Sequence, residues 1–214
     1  MKIFLDTANY QDIAERYKTG LISGITTNPS LVRKEGCDYY EFIKTLANNF
    51  AFESISAEVP GESSFEMLCH ASKFRDIAPN ITIKLPLTKE GLMACKQLTD
   101  QGVTTNVTLC FSGAQAVMAA LAGATYVSPF VGRCNDNSFS GVELIRAISS
   151  LYSVQKVKTK VLAASLRDVH HVSRSLLYGA DVVTLPCAVF DKMYDHVLTR
   201  EGLEIFNNDF KEIQ

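Results

Sequence analysis

Eight short runs rich in β-branched and aliphatic residues recur along the chain, each followed by a segment of helical periodicity. They are KIFLDT (2–7), GITTNP (24–29), FESISAEV (52–59), ITIKLPL (81–87), TTNVTLC (104–110), ATYVSPFV (124–131), KVLAAS (160–165) and DVVTLP (181–186). Strands that alternate with helices imply a parallel sheet, because parallel neighbours must be joined by a crossover. Eight such units in 214 residues fit a closed (β/α)8 TIM barrel near its lower size limit. A doubly wound open sheet is the alternative. No G-x-G-x-x-G follows the first run and no G-x-x-x-x-G-K-[ST] occurs, which lowers the weight of nucleotide-binding folds. No linker or low-complexity tract interrupts the pattern, so one barrel domain over 1–214 is expected, closing on an amphipathic helix at about 198–214. That helix spaces Leu203, Phe206, Phe210 and Ile213 for packing on its own barrel or on a neighbouring subunit.

Helix ends are marked. Ser63-Ser64-Phe65-Glu66 and Ser112-Gly113-Ala114-Gln115 read as capping boxes, and Thr88 reads as the cap of a helix burying Leu92, Cys95 and Leu98. Pro79, Gly102 and Gly123 read as stops.

The net charge of -2 gives no general attraction for nucleic acid or an anionic membrane. Asp6 falls too early for the apolar core of a signal peptide, and no apolar run approaches the roughly 20 residues of a membrane span. A cytoplasmic protein is expected. Its six cysteines contain no C-x-x-C pair and read as reduced, mostly buried thiols. His70, His170, His171 and His196 fall in predicted helices, and the adjacent pair does not share a helix face, so no metal site is expected.

One residue does not suit its strand. Lys84 sits inside ITIKLPL, where a desolvated charge is costly. Side chains in a strand alternate faces, so Thr82, Lys84 and Pro86 share one face and Ile81, Ile83 and Leu85 the other. The aliphatic face suits the helices, which turns Lys84 into the barrel. The same sorting turns inward Asp6, then Thr26 and Asn28, Ser56 and Glu58, Asn106 and Thr108, Ser128 and Phe130, and Ser165. Each set lies near the C-terminal end of its strand, where barrel enzymes place their chemistry. Any one of these residues has an ordinary explanation as a satisfied core hydroxyl or a structural ion pair. Together they would make a poor core and a good preformed site. Burial disfavours the ammonium form of a lysine, and a neutral amine attacks ketones to give a Schiff base. Asp6 and Glu58 would oppose that effect while ionised, and are the groups able to move protons.

The motifs LDTAN (5–9), GITTNPSL (24–31), SAEV (56–59), IKLPLT (83–88), TNVTLCFSGAQA (105–116), YVSPFVGR (126–133) and LAASLRD (162–168) make the chain resemble the small-subunit transaldolase and fructose-6-phosphate aldolase family of class I aldolases. The resemblance implies that Lys84 is the Schiff-base lysine and that Asp6 is the acid/base acting on the C4 hydroxyl of the donor. It implies that Glu58 and Thr108 hold a proton-relaying water, and that Asn28, Asn106 and Ser128 bind the hydroxyls of a dihydroxyacetone unit, with Thr26 alongside. Arg133, Ser165 and Arg167 would bind the sugar phosphate, which suits a forked guanidinium. No metal or organic cofactor is implied. A homo-oligomer is implied, a pentamer or a decamer of two pentameric rings.

Two activities share this pattern. The aldolases carry Gln and Tyr where this chain has Glu58 and Phe130, which favours a transaldolase. A phenyl ring at 130 offers no hydroxyl to help protonate the enamine left after cleavage. The alternatives are a fructose-6-phosphate aldolase that releases dihydroxyacetone, and a non-catalytic barrel that only binds sugar phosphates. Pro60-Gly61, Ser112-Gly113 and the loop CNDNSFSG (134–141) depart from the family pattern and are expected to alter acceptor preference or the pocket rim, not the chemistry.

Overall fold

All eight runs become strands, each a little shorter than its apolar stretch. The computed structural model describes residues 1–213. Its strands are β1 (Lys2–Asp6), β2 (Gly24–Thr26), β3 (Ser54–Glu58), β4 (Ile81–Pro86), β5 (Thr105–Cys110), β6 (Tyr126–Pro129), β7 (Lys160–Ala163) and β8 (Val182–Leu185). They pair in parallel in sequence order, and β8 returns to β1 to close the barrel. The doubly wound alternative is thereby excluded, and no sheet edge is left open.

Several runs lose their last residues because those residues begin the next helix. Asn28 caps α2 (Pro29–Glu35), Phe130 precedes α7 (Val131–Asp136), and Pro186 precedes α10 (Cys187–Lys192). The other helices are α1 (Tyr10–Tyr17), α3 (Tyr39–Asn49), α4 (Ser64–Arg75), α5 (Lys89–Asp100), α6 (Gly113–Leu121), α8 (Gly141–Gln155), α9 (Val169–Leu177) and α11 (Val197–Ile213). The end signals hold with corrections. Ser63 and Glu66 form the reciprocal capping box, and Thr88 caps α5. Ser112 caps α6, but the Gln115 side chain accepts from the Phe111 N–H, one residue before the cap, so that box is displaced. α4 ends at Arg75, short of Pro79. His196 precedes α11 instead of lying in a helix. The last residue of the expected C-terminal helix, Gln214, lies outside the described residues.

Two apolar layers flank the sheet. The outer one packs aliphatic faces such as Ile81, Ile83 and Leu85 against the helices. The inner one is small: Phe4, Tyr126, Leu162, Ala164 and Val182 fill the barrel, with Phe130 resting on them. Gly24 makes room for it, since a Cβ there would meet the Phe4 ring at 2.7 Å. Of the six thiols only Cys95, Cys110 and Cys134 are buried; Cys187 is half-buried, and Cys37 and Cys69 are exposed. The expectation of mostly buried thiols therefore holds for half of them.

Candidate active site

Above the apolar plug the barrel turns polar. Strand register sets Glu58 beside Lys84 and Lys84 beside Asn106 across β3, β4 and β5. On the other side Asp6 pairs in register with Thr26, and Thr26 with Ser56. Inward-facing residues at matched heights thus form a ring.

Lys84 is 5% exposed. Its ammonium lies 2.9 Å from the Glu58 carboxylate and donates to the Thr27 carbonyl at 3.1 Å. An unpaired ammonium here would be costly, and breaking such a buried pair is worth about 3–5 kcal/mol.

Asp6 accepts a hydrogen bond from Thr26 Oγ1 at 2.8 Å, and Thr26 Oγ1 is 2.7 Å from Thr184 Oγ1. Burial pushes the Asp6 carboxyl above the usual carboxylate range. Lys84 and the Thr26 hydroxyl pull it back down, and Glu58 adds a smaller upward push. A carboxylate raised in this way is a better proton acceptor, when ionised, than one at its ordinary value.

Ser128 Oγ donates to Asn106 Oδ1 at 2.6 Å, and Asn106 Nδ2 reaches Ser56 Oγ at 3.4 Å. Thr108 Oγ1 is buried without a protein partner. A buried hydroxyl left unpaired beside a cavity is a place for a water or a ligand oxygen.

The cavity itself has a volume of about 160 Å3. Asp6, Thr26, Asn28, Lys84, Thr108, Ser128, Phe130, Arg133 and Ser165 line it, with Ala164 the one lining residue the sequence did not suggest. Glu58 and Asn106 stand just behind, bonded to Lys84 and Ser128. Asn28 spends its side-chain oxygen capping α2, where it accepts from the Leu31 N–H. The Phe130 ring carries the Arg133 guanidinium over one face at 5.0 Å. The expectation that alternation turns Ser165 inward is corrected: Leu162 and Ala164 face the barrel interior, so parity puts Ser165 outside, and its positive φ of 58° turns it to the mouth. Leu109, next to Thr108, has φ 63° beside a register shift between β5 and β6.

Arg167 does not line the cavity. It is an exposed rim residue whose guanidinium grips Asp136 with two hydrogen bonds, and this holds the Asp136 carboxyl below the usual range. Asn135 of the same loop bonds the His171 ring at 2.8 Å and accepts from the Gly141 N–H.

Sequence reasoning missed Thr27, Tyr39, Thr184 and Asp136. Alternation along DVVTLP marks Thr184 as an inward residue, in step with Val182. Tyr39 carried no signal, because it belongs to α3 and reaches the strand ends from outside. Among the described residues no group of three or more His, Cys, Asp or Glu is placed to hold a metal ion. None of the described helices is long and apolar enough to cross a membrane. Chemically, a buried amine between two carboxylates is equipped to attack a carbonyl carbon and to shuttle the protons that follow.

Comparison with known proteins gives the family. A family model described as Transaldolase/Fructose-6-phosphate aldolase matches residues 3–214. A "Probable transaldolase" of Caulobacter vibrioides is 47% identical over 210 residues, covering 98% of this chain and 96% of the relative. One from Paracoccus denitrificans is 48% identical with the same coverage, and one from Geobacillus kaustophilus is 42% identical over 98% of both chains.

Proposed function

We propose that this chain, which belongs to the transaldolase/fructose-6-phosphate aldolase family, is a transaldolase acting through a Schiff base on Lys84. It moves a dihydroxyacetone unit from sedoheptulose 7-phosphate to glyceraldehyde 3-phosphate, giving erythrose 4-phosphate and fructose 6-phosphate, in the cytoplasmic pentose phosphate pathway. The observation that carries this reading is the buried Lys84–Glu58 pair facing Asp6 in one polar cavity at the C-terminal strand ends.

The steps follow from the groups. Lys84 gives up a proton and its amine adds to the donor's C2 carbonyl; loss of water leaves an iminium. Asp6 takes the proton of the C4 hydroxyl, the C3–C4 bond breaks, and its electrons flow to the iminium. The aldose phosphate leaves, and a three-carbon enamine remains on the lysine. Its carbon then attacks the acceptor aldehyde, Asp6 returns the proton, and water frees the new ketose. Glu58 and Thr108 hold the water that is lost and regained. Asn28, Asn106 and Ser128 bind the hydroxyls of the unit. Arg133 and Ser165 meet the phosphate, and Arg167 joins them by exchanging Asp136 for it. Phe130 walls the enamine with a ring that has no proton to offer, which supports transfer over release.

The apolar face of α11 supports a homo-oligomer in which this helix packs on a second copy of the chain.

The direct test supplies fructose 6-phosphate with and without erythrose 4-phosphate and follows glyceraldehyde 3-phosphate. Product that depends on the acceptor supports transfer. Product without it makes the chain an aldolase. With borohydride, Lys84 should retain the donor's mass, and equal mass on Lys84→Met would refute the mechanism.

A further inference from the structure

The ladder between β2 and β3 breaks off at the site. In a parallel pair, donors and acceptors alternate down each strand. The Thr27 N–H donates to the Ser56 carbonyl at 3.3 Å. Two residues further on, the Glu58 N–H should donate to the Thr27 carbonyl. It does not. The Glu58 N–H donates to the hydroxyl of Tyr39 at 2.7 Å, and the Thr27 carbonyl accepts from the Lys84 ammonium. The ladder cannot resume beyond this point, because the next donor would be Pro29, which has no N–H.

The hydrogen bonds around Tyr39 run in one direction. Thr27 Oγ1 lies 2.8 Å from both the Ser56 carbonyl and the Tyr39 hydroxyl. A hydroxyl has one proton to give. Thr27 gives its proton to Ser56, so the Tyr39 O–H donates to Thr27 and its oxygen is free to accept from Glu58. The ring is held from outside by Phe74, with centroids 5.2 Å apart, and Asp38 caps α3 immediately before it. Burial pushes the Tyr39 phenol up to about 12, so it stays a donor throughout the working range.

We propose that Tyr39 is a positioning residue for the Schiff-base lysine: its hydroxyl takes over the Glu58 N–H, and this leaves the Thr27 carbonyl free to hold the Lys84 ammonium beside Glu58. Tyr39 touches no substrate and acts through both partners of the ion pair. Without its hydroxyl, the ladder partner left for the Glu58 N–H is the Thr27 carbonyl. Closing that rung makes this carbonyl serve two donors and draws β3 toward β2, shifting the amine from its line of attack. The inference rests on the transaldolase reading above.

The test is Tyr39→Phe, which keeps the ring against Phe74 and removes only the hydroxyl. Steady-state transfer from fructose 6-phosphate to erythrose 4-phosphate is measured, together with the rate at which borohydride traps the donor on Lys84. The expected result is a fall of tenfold or more in kcat and in the trapping rate, with KM for fructose 6-phosphate within twofold of the parent. That split separates positioning from general loosening, which would raise KM as well. Trapping and kcat within twofold of the parent would overturn the proposal. If Tyr39→Phe does not fold, Thr27→Val takes its place: it keeps the Thr27 carbonyl but removes the acceptor of the Tyr39 proton. A fall of about threefold in trapping is then expected, and no change overturns the proposal. A parent enzyme that traps no donor defeats the transaldolase reading and this inference together. A parent that traps normally beside an unchanged variant defeats only the inference.

Discussion

At the barrel mouth, Lys84, Asn106, Thr108 and Ser128 are polar and buried, whereas along α11, Leu198, Phe206, Phe210 and Ile213 are apolar and exposed. Each region inverts the ordinary rule, and each inversion has its own resolution. In the mouth the polar groups are held by neighbours on adjacent strands: Glu58 for Lys84 and Asn106 for Ser128. The one hydroxyl left over, on Thr108, faces the cavity. On α11, none of the 17 residues is buried against the barrel. The proposed homo-oligomer would cover this exposed apolar surface with a second chain. Most of the buried polarity, by contrast, is satisfied within the chain. Changes in the mouth should alter chemistry without assembly, and changes on α11 should do the reverse.

The largest effect belongs to the mouth. Lys84→Met should lower kcat by about ten-thousand-fold or more, as loss of a covalent nucleophile does. Its sedimentation should match the parent. A smaller species would break the separation between the two regions. Asp6→Asn should lower kcat by about a hundred- to ten-thousand-fold. Its stability should move the other way. The Asp6 carboxyl is raised in the folded state, so its contribution to stability is present in full below its unfolded value and is lost as pH rises through the folded one. At neutral pH Asp6→Asn should therefore unfold at a higher temperature than the parent, and the gain should vanish in acid. For the same reason the acid limb of kcat/KM should lie above the ordinary aspartate value of about 3.9. A limb at or below it would remove Asp6 as the base.

Paired Phe206→Glu and Phe210→Glu changes test the other region. Sedimentation should shift to a smaller species, with kcat within about twofold of the parent, because like charges introduced on both copies of an apolar contact repel. An unchanged mass would leave α11 without a partner. Thr108→Val is a finer probe of the mouth. No protein group loses a hydrogen bond, so stability should hold within about 0.5 kcal/mol, and kcat should fall about tenfold as the relay water loses a partner. The smallest effect concerns enamine fate. Phe130→Tyr should raise acceptor-independent cleavage a few-fold, about 1 kcal/mol of added barrier lowering. No change, or a fall, would remove the ring from the account of transfer over release.

Much of this was legible in the sequence, because strand alternation is a local property. Lys84, Asp6, Thr26 and Asn106 all face where a period of two puts them. The eightfold strand–helix rhythm carried the closed barrel for the same reason. Legibility stops where the backbone leaves the ideal strand. Ser165 reaches the cavity through a left-handed residue, against the parity set by Leu162 and Ala164. Arg167 was expected at the sugar phosphate, yet its guanidinium is engaged by Asp136 at the end of α7, a contact that neither segment signals alone. Tyr39 was invisible for the deepest reason. Its role arises from a rung the sheet fails to make, and missing rungs leave no trace in residue patterning.

The cavity of about 160 Å3 has a consequence for what the protein should accept. Small-molecule sites that enclose a whole ligand run to roughly 300–1,000 Å3. This one has room for a three-carbon fragment and not for a hexose phosphate. On the transaldolase reading, the enclosed part would hold the transferred carbons, and the rest of the substrate would extend outward past Arg133, which lines the cavity. On that reading, donors with the same configuration at C3 and C4 but of different length should compete on nearly equal terms, and aldehydes of varied length should serve as acceptors. Selectivity would then be graded along the substrate, strict at the reacting end and permissive toward the phosphate.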